Sequence, residues 1–182
     1  MNKILIVIAI VAISIFILTA CGFIPNKNVH GEDLLKLSDG RLYETVYLQN
    51  INLVETYDDE ATALSQISDV QRTVYILNMF DMEIQNGGLC QFFVNSSREL
   101  APYVDECLKT VGAEDQRVLF SEFAKVNQID LNNLESFEIS NVLEFQAQTQ
   151  RYDFDSFDRA YMKLTPLKDY IVSYIKANIN EF

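Results

Sequence analysis

Residues 68–88 restrict this chain more than any other stretch. Ser68 stands three positions before Gln71, the spacing of a capping box in which two side chains satisfy each other's backbone N–H groups. Behind it Val70, Val74, Leu77, Phe80 and Ile84 recur at i, i+3/i+4, the signature of a buried helical stripe. Asn86-Gly87-Gly88 then ends the helix, with Gly87 expected at positive φ, because glycine accepts the left-handed conformation that closes helices. A stripe of this kind has to be covered by other elements.

The same period recurs on both sides. Leu42, Val46, Leu53 and Val54, with Tyr43 and Tyr47, mark a helix after Ser38-Asp39-Gly40. Downstream, a short helix carries Leu89 to Val94, and a longer one runs from Glu99 to Val111 with Pro102 in its first turn and Gly112-Ala113 at its end. Further helices are expected around Val118, Phe120 and Phe123, and over 139–150. Another bears Phe157, Tyr161 and Leu164 behind Asp155 as cap, and a last one follows Pro166. Residues 127–137 are polar and irregular. No stretch sustains strand alternation, so the expected fold is all-α, a single-domain compact bundle of about six to eight helices over residues 32–182.

The amino terminus poses a different question. Lys3 precedes an apolar run from Ile4 to Leu18, followed by Leu18-Thr19-Ala20-Cys21. A short positive start, an apolar core and small residues before a cut form a signal peptide, here residues 1–20. The last four residues resemble the lipobox of bacterial lipoproteins, which implies a diacylglycerol on Cys21 and cleavage before it. Residues 21–31, which hold the chain's single histidine, His30, then read as a flexible tether. The alternative is a transmembrane helix over Ile4–Ile24, uncharged and long enough to span a bilayer. Either reading puts the domain on the extracytoplasmic face of a membrane.

The full chain has 14 Lys and Arg against 26 Asp and Glu, net −12. Removing residues 1–20 takes one Lys and no acid, leaving net −13. Such a surface repels nucleic acid and anionic headgroups and favours partners rich in Lys and Arg. The densest acidic knot is Glu55, Asp58, Asp59 and Glu60, a candidate acidic face or simply a solvated one. Once Cys21 is set aside, Cys90 and Cys107 remain, and sequence leaves open whether they pair.

Glu83, Asn86-Gly87-Gly88, Gln91, Phe92 and Asn95-Ser96-Ser97, followed by "LKTVGA", "FDSFDRAYMKL" and "YIKANINEF", resemble the DNA-mimic protein C-terminal-like family over residues 68–182. The resemblance implies an acidic all-helical domain, allows a homodimer, and includes a branch whose acidic side chains imitate DNA phosphates to occupy a DNA-binding protein. The chain departs from that pattern at Arg98, where a glycine is expected, and in its export signal.

Catalytic groups are scarce. One histidine in a tether excludes most Ser-His and Cys-His arrangements and any His-rich zinc site. Asp153, Asp155 and Asp158 lack the glycine and distal Glu of a helix-loop-helix calcium site, and suit a helix start instead. No metal or cofactor is expected. Glu83 and Glu99 remain as a carboxylate pair for a glycan hydrolase, weighed against a non-catalytic acidic binding module for basic proteins or peptides. Gln91 and Asn95, four apart, share one helix face. The expectation is a hydrogen-bonded corner in which Asn86 and Asn95 cap the short helix and Ser96 or Ser97 caps the next. The alternative is a small polar pocket rimmed by these amides and Glu83.

Overall fold

The computed structural model describes residues 29–182; the expected signal segment, Cys21 and the expected tether up to residue 28 lie outside the described residues. Eight α-helices and four 3-10 segments follow one another among them. A 3-10 turn over Gly31–Lys36 leads into α1 (Asp39–Val54), α2 (Glu60–Gln66) and α3 (Asp69–Val94). A second 3-10 turn, Ser96–Leu100, joins α3 to α4 (Ala101–Val111), and α5 (Glu114–Val126) follows. After Glu135–Phe137 come α6 (Val142–Thr149), α7 (Phe154–Tyr161), α8 (Leu167–Ala177) and a closing 3-10 turn, Ile179–Glu181.

The helix ends follow side-chain chemistry. Ser68 and Gln71 form the full capping box, each bond 3.2 Å. Asp59 and Asn141 cap α2 and α6 through their side chains. The cap of α7 is Asp153, accepting the Ser156 N–H at 3.1 Å, and not Asp155. Gly112 closes α4 at φ 79°, in the left-handed region.

α3 is the central helix, packed against α1, α4, α7 and α8. From Thr73 to Leu77 every residue is buried, so this segment is enclosed on all sides instead of presenting one stripe. Around it the aromatic side chains interlock. Phe80 meets Phe92 edge-on at 5.1 Å and Phe120 at 5.2 Å, and Phe93 lies 4.9 Å from Phe137. Cys90 and Cys107 are both buried and free, and burial pushes each thiol up to about 11.

The near end of the expected tether is held to the domain. Gly31 N–H donates to the Phe182 carbonyl at 2.7 Å, and Gln49 donates to the Val29 carbonyl at 2.8 Å. Residues 29–31 are thus part of the folded body. Among the described residues no helix is long and apolar enough to cross a membrane.

Candidate functional site

Two helical segments make up α3, and their junction builds the candidate site. A straight helix rises about 1.5 Å per residue, which would separate Glu83 from Asn95 by roughly 18 Å. Instead the Asn95 amide nitrogen lies 3.1 and 2.9 Å from the two Glu83 oxygens. The chain therefore turns back on itself between them, at Gly87 (φ −160°, ψ 17°) and Gly88 (φ 81°, ψ 178°).

The two glycines do different jobs. Gly88, not Gly87, holds the positive φ; the Gly87 φ is extended and open to any residue. A Cβ on Gly88 would overlap the Asp158 carboxylate, which comes from α7 and accepts the Leu89 N–H at 2.9 Å. Asp158 thus caps the second segment from 69 residues away. A Cβ on Gly87 would overlap the Gln91 amide oxygen. That amide cannot swing clear without losing its own bond, because Gln91 Nε2 donates to Glu83 at 2.7 Å.

Glu83 is the hub. Only 4% exposed, it accepts from Gln91, from Asn95 through both oxygens, and from the Ser97 hydroxyl at 2.9 Å. Three neutral donors, one from the second segment of α3, one from the Asn95 that follows its last residue and one from the next 3-10 turn, converge on one buried carboxylate. Such charge-assisted bonds are the strong ones. Glu83 also helps burial push the neighbouring Tyr47 hydroxyl up to about 12.

The expected capping roles fall elsewhere. Asn95 and Ser97 spend their side chains on Glu83, and neither the Ser96–Leu100 turn nor α4 has a side-chain cap. Asn86 and Ser96 are exposed. Arg98 closes the second segment instead, donating to the Val94 and Asn95 carbonyls at 3.1 and 3.2 Å while pairing with Glu138 at 2.8 Å. Glu99 is exposed, whereas Glu83 is enclosed by its donors.

The acidic knot divides similarly. Glu55 and Asp58 are exposed, Asp59 caps α2 by accepting Thr62 N–H at 2.7 Å, and Glu60 accepts the Tyr75 hydroxyl at 2.6 Å. Burial raises the Glu60 carboxyl above its ordinary range. Half of the knot serves the fold.

A second buried acid sits two positions from Glu83. Asp81, 7% exposed, accepts the Tyr161 hydroxyl at 2.9 Å and Gln85 at 3.4 Å, both on Oδ1. Burial raises its carboxyl. It lines a cavity of about 480 Å³ between α1, α3 and the start of α8, with Tyr43, Tyr47, Asn78, Met82 and Lys168. Sequence reasoning missed this cavity. The signal was the spacing 78, 81, 82, 85, one face of a helix whose opposite face carries Glu83.

No group of three or more metal-ligating side chains occurs among the described residues. A family model described as DMP19-like protein matches residues 65–178. No curated protein and no solved structure matches the chain.

Proposed function

The chain belongs to the DMP19-like protein family, and on that premise we propose that it is a non-catalytic acidic binding module for Lys- and Arg-rich proteins or peptides, held by a lipidated Cys21 on the extracytoplasmic face of a membrane. The observation that carries this reading is the imbalance of 26 acidic against 14 basic residues. Exposed acids such as Glu55, Asp58, Glu106 and Asp115 offer a cationic partner an attractive field. The competing glycan-hydrolase reading is weakened by Glu83 itself. Its carboxylate is almost wholly buried and both of its oxygens are already taken, by Gln91, Asn95 and Ser97, which leaves a general acid or base no free oxygen to offer a substrate.

Capture of partners at low and high salt tests the reading, since acidic docking weakens as salt screens it. Salt-independent capture, or turnover of peptidoglycan that disappears in Glu83→Gln, would sink it. For the anchor, mass spectrometry of the mature amino terminus should find acylated Cys21; an intact Met1 would favour the transmembrane alternative.

Family membership supports a second reading. In a chain retained in the cytoplasm, exposed carboxylates would stand in for DNA phosphates on a DNA-binding protein. Excess duplex DNA should then displace the captured partner, whereas a purely extracytoplasmic module would keep partners that DNA does not compete for.

A further inference from the structure

Asn78 is an anomaly. It is 1% exposed, yet neither its amide oxygen nor its amide nitrogen has a hydrogen-bond partner. Three glutamines whose amide oxygen is buried without a partner keep their nitrogens bonded: Gln49 to Val29, Gln116 to Thr165 and Gln148 to Ser136. Among the described residues Asn78 alone leaves both atoms of a buried amide unused. Buried polar groups are nearly always satisfied, so an orphaned pair calls for an explanation.

Its position supplies one. Asn78 lines the cavity of about 480 Å³ beside Asp81, three residues on along the same helix face. Both hydrogen bonds to Asp81 fall on Oδ1, which leaves Oδ2 for another donor. The remaining wall is largely ring and thioether: Tyr43 and Tyr47, one turn apart on α1, and Met82. Tyr47 spends its hydroxyl on the Met82 sulfur at 3.1 Å, a weak acceptor. At this wall the chain already places a cation, since Lys168 Nζ lies 4.9 Å from the centre of the Tyr43 ring.

A donor-rich, planar cation with an aliphatic stem matches the free Asp81 oxygen, the Asn78 oxygen and the aromatic wall, though as a pure donor it serves only the oxygen of the Asn78 amide. We propose that the cavity takes a single arginine side chain of a partner protein, its guanidinium donating to Asp81 and to the Asn78 oxygen while its plane lies on the Tyr43 and Tyr47 rings. Arginine suits the site better than lysine because the fork carries five donors and stacks on aromatic faces. Lys168 is then the resident counterion that the incoming side chain displaces from Tyr43. Glu44, also on the wall, leaves the site with two acids against one base, so an anionic ligand is disfavoured. This inference deepens the reading of an acidic module for basic partners and rests on it.

The test uses the full-length chain, N-acetyl-arginine amide as probe and its citrulline counterpart as the uncharged isostere. NMR titration follows the Asn78 side-chain amide. Arginine should shift that signal saturably and citrulline should not. Asp81→Asn, which keeps an acceptor for Tyr161, should weaken binding about tenfold, the loss of one charge-assisted bond. Lys168→Met should tighten it, because the competing cation is gone. Equal binding of citrulline, weaker binding in Lys168→Met, or no shift with arginine would each overturn the proposal. Salt-sensitive capture of basic proteins that survives Asp81→Asn defeats the cavity alone. Arginine binding in a chain that captures no basic protein upholds the cavity and defeats the wider reading.

Discussion

Asp81 and Glu83 are two buried carboxylates two residues apart on one helix, and they live in opposite surroundings. At about 100° per residue they point some 200° apart. Glu83 faces the second segment of α3 and is met by Gln91, Asn95 and Ser97. Asp81 faces a cavity whose floor holds an amide with no partner. The first acid closes the structure and the second leaves it open. Burial of a polar group therefore does not by itself indicate its role; the satisfaction of its neighbours does.

The contrast breaks most violently at the turn that creates it. Gly88→Val should cost about 4 kcal/mol or more, because a β-branched residue at φ 81° is strained and its side chain strikes the Asp158 carboxylate. Urea denaturation measures this. A loss below about 1 kcal/mol would mean the two segments can be joined some other way.

Next in size is the hub. Glu83→Ala should cost about 3 kcal/mol by orphaning three donors, the buried Ser97 hydroxyl and the half-buried amides of Gln91 and Asn95. Asn95→Ala and Gln91→Ala should each cost about 1–3 kcal/mol, since each removes a donor from a buried carboxylate. Double-mutant cycles against Glu83→Ala should find these losses strongly non-additive, as expected of one network. Unchanged melting of Asn95→Ala with lost partner binding would make the corner a recognition site instead.

Asp81 should show itself through pH. Its carboxyl is raised by burial, so the folded state holds a proton more readily than the unfolded chain, and stability falls as pH rises through that raised value. Wild type should accordingly gain stability relative to Asp81→Asn as pH is lowered from 7 toward the ordinary carboxylate value of 3.8. The gap in melting temperature between the two proteins, followed across that window, checks the sign. A gap that does not move with pH would place Asp81 in ordinary solvent.

The smallest effect belongs to Asn78. Because its amide makes no bond, Asn78→Leu should change stability by no more than about 0.5 kcal/mol, or raise it. A loss of about 2 kcal/mol would reveal a bond, direct or through water, and would bring the cavity closer to the corner in kind. Here the two regions are compared at the level of single amides: Asn95 carries the fold and Asn78 does not.

Much of the architecture was legible in the residues. The capping box at Ser68, the stripe through Phe80 and Ile84, the left-handed Gly112 and the proline-led α4 depend on interactions within one or two turns, and short-range rules suffice for them. The same rules misplaced the details of the junction. They assigned the positive φ to Gly87 and capping roles to Asn86, Asn95 and Ser97, because a local capping role is the default for such residues. What overrode that default was Glu83, reached only when the chain doubled back.

Sequence by itself determined that this protein is acidic and built of helices, since charge is a sum over residues and helical periodicity repeats every few of them. Tertiary structure alone decided where the buried acids find their partners. Asp158 reaches Leu89 across 69 residues and Tyr161 reaches Asp81 across 80. Those contacts exist only after α7 and α8 pack on α3, and no spacing along the chain encodes which donor will stand opposite which acceptor once they do.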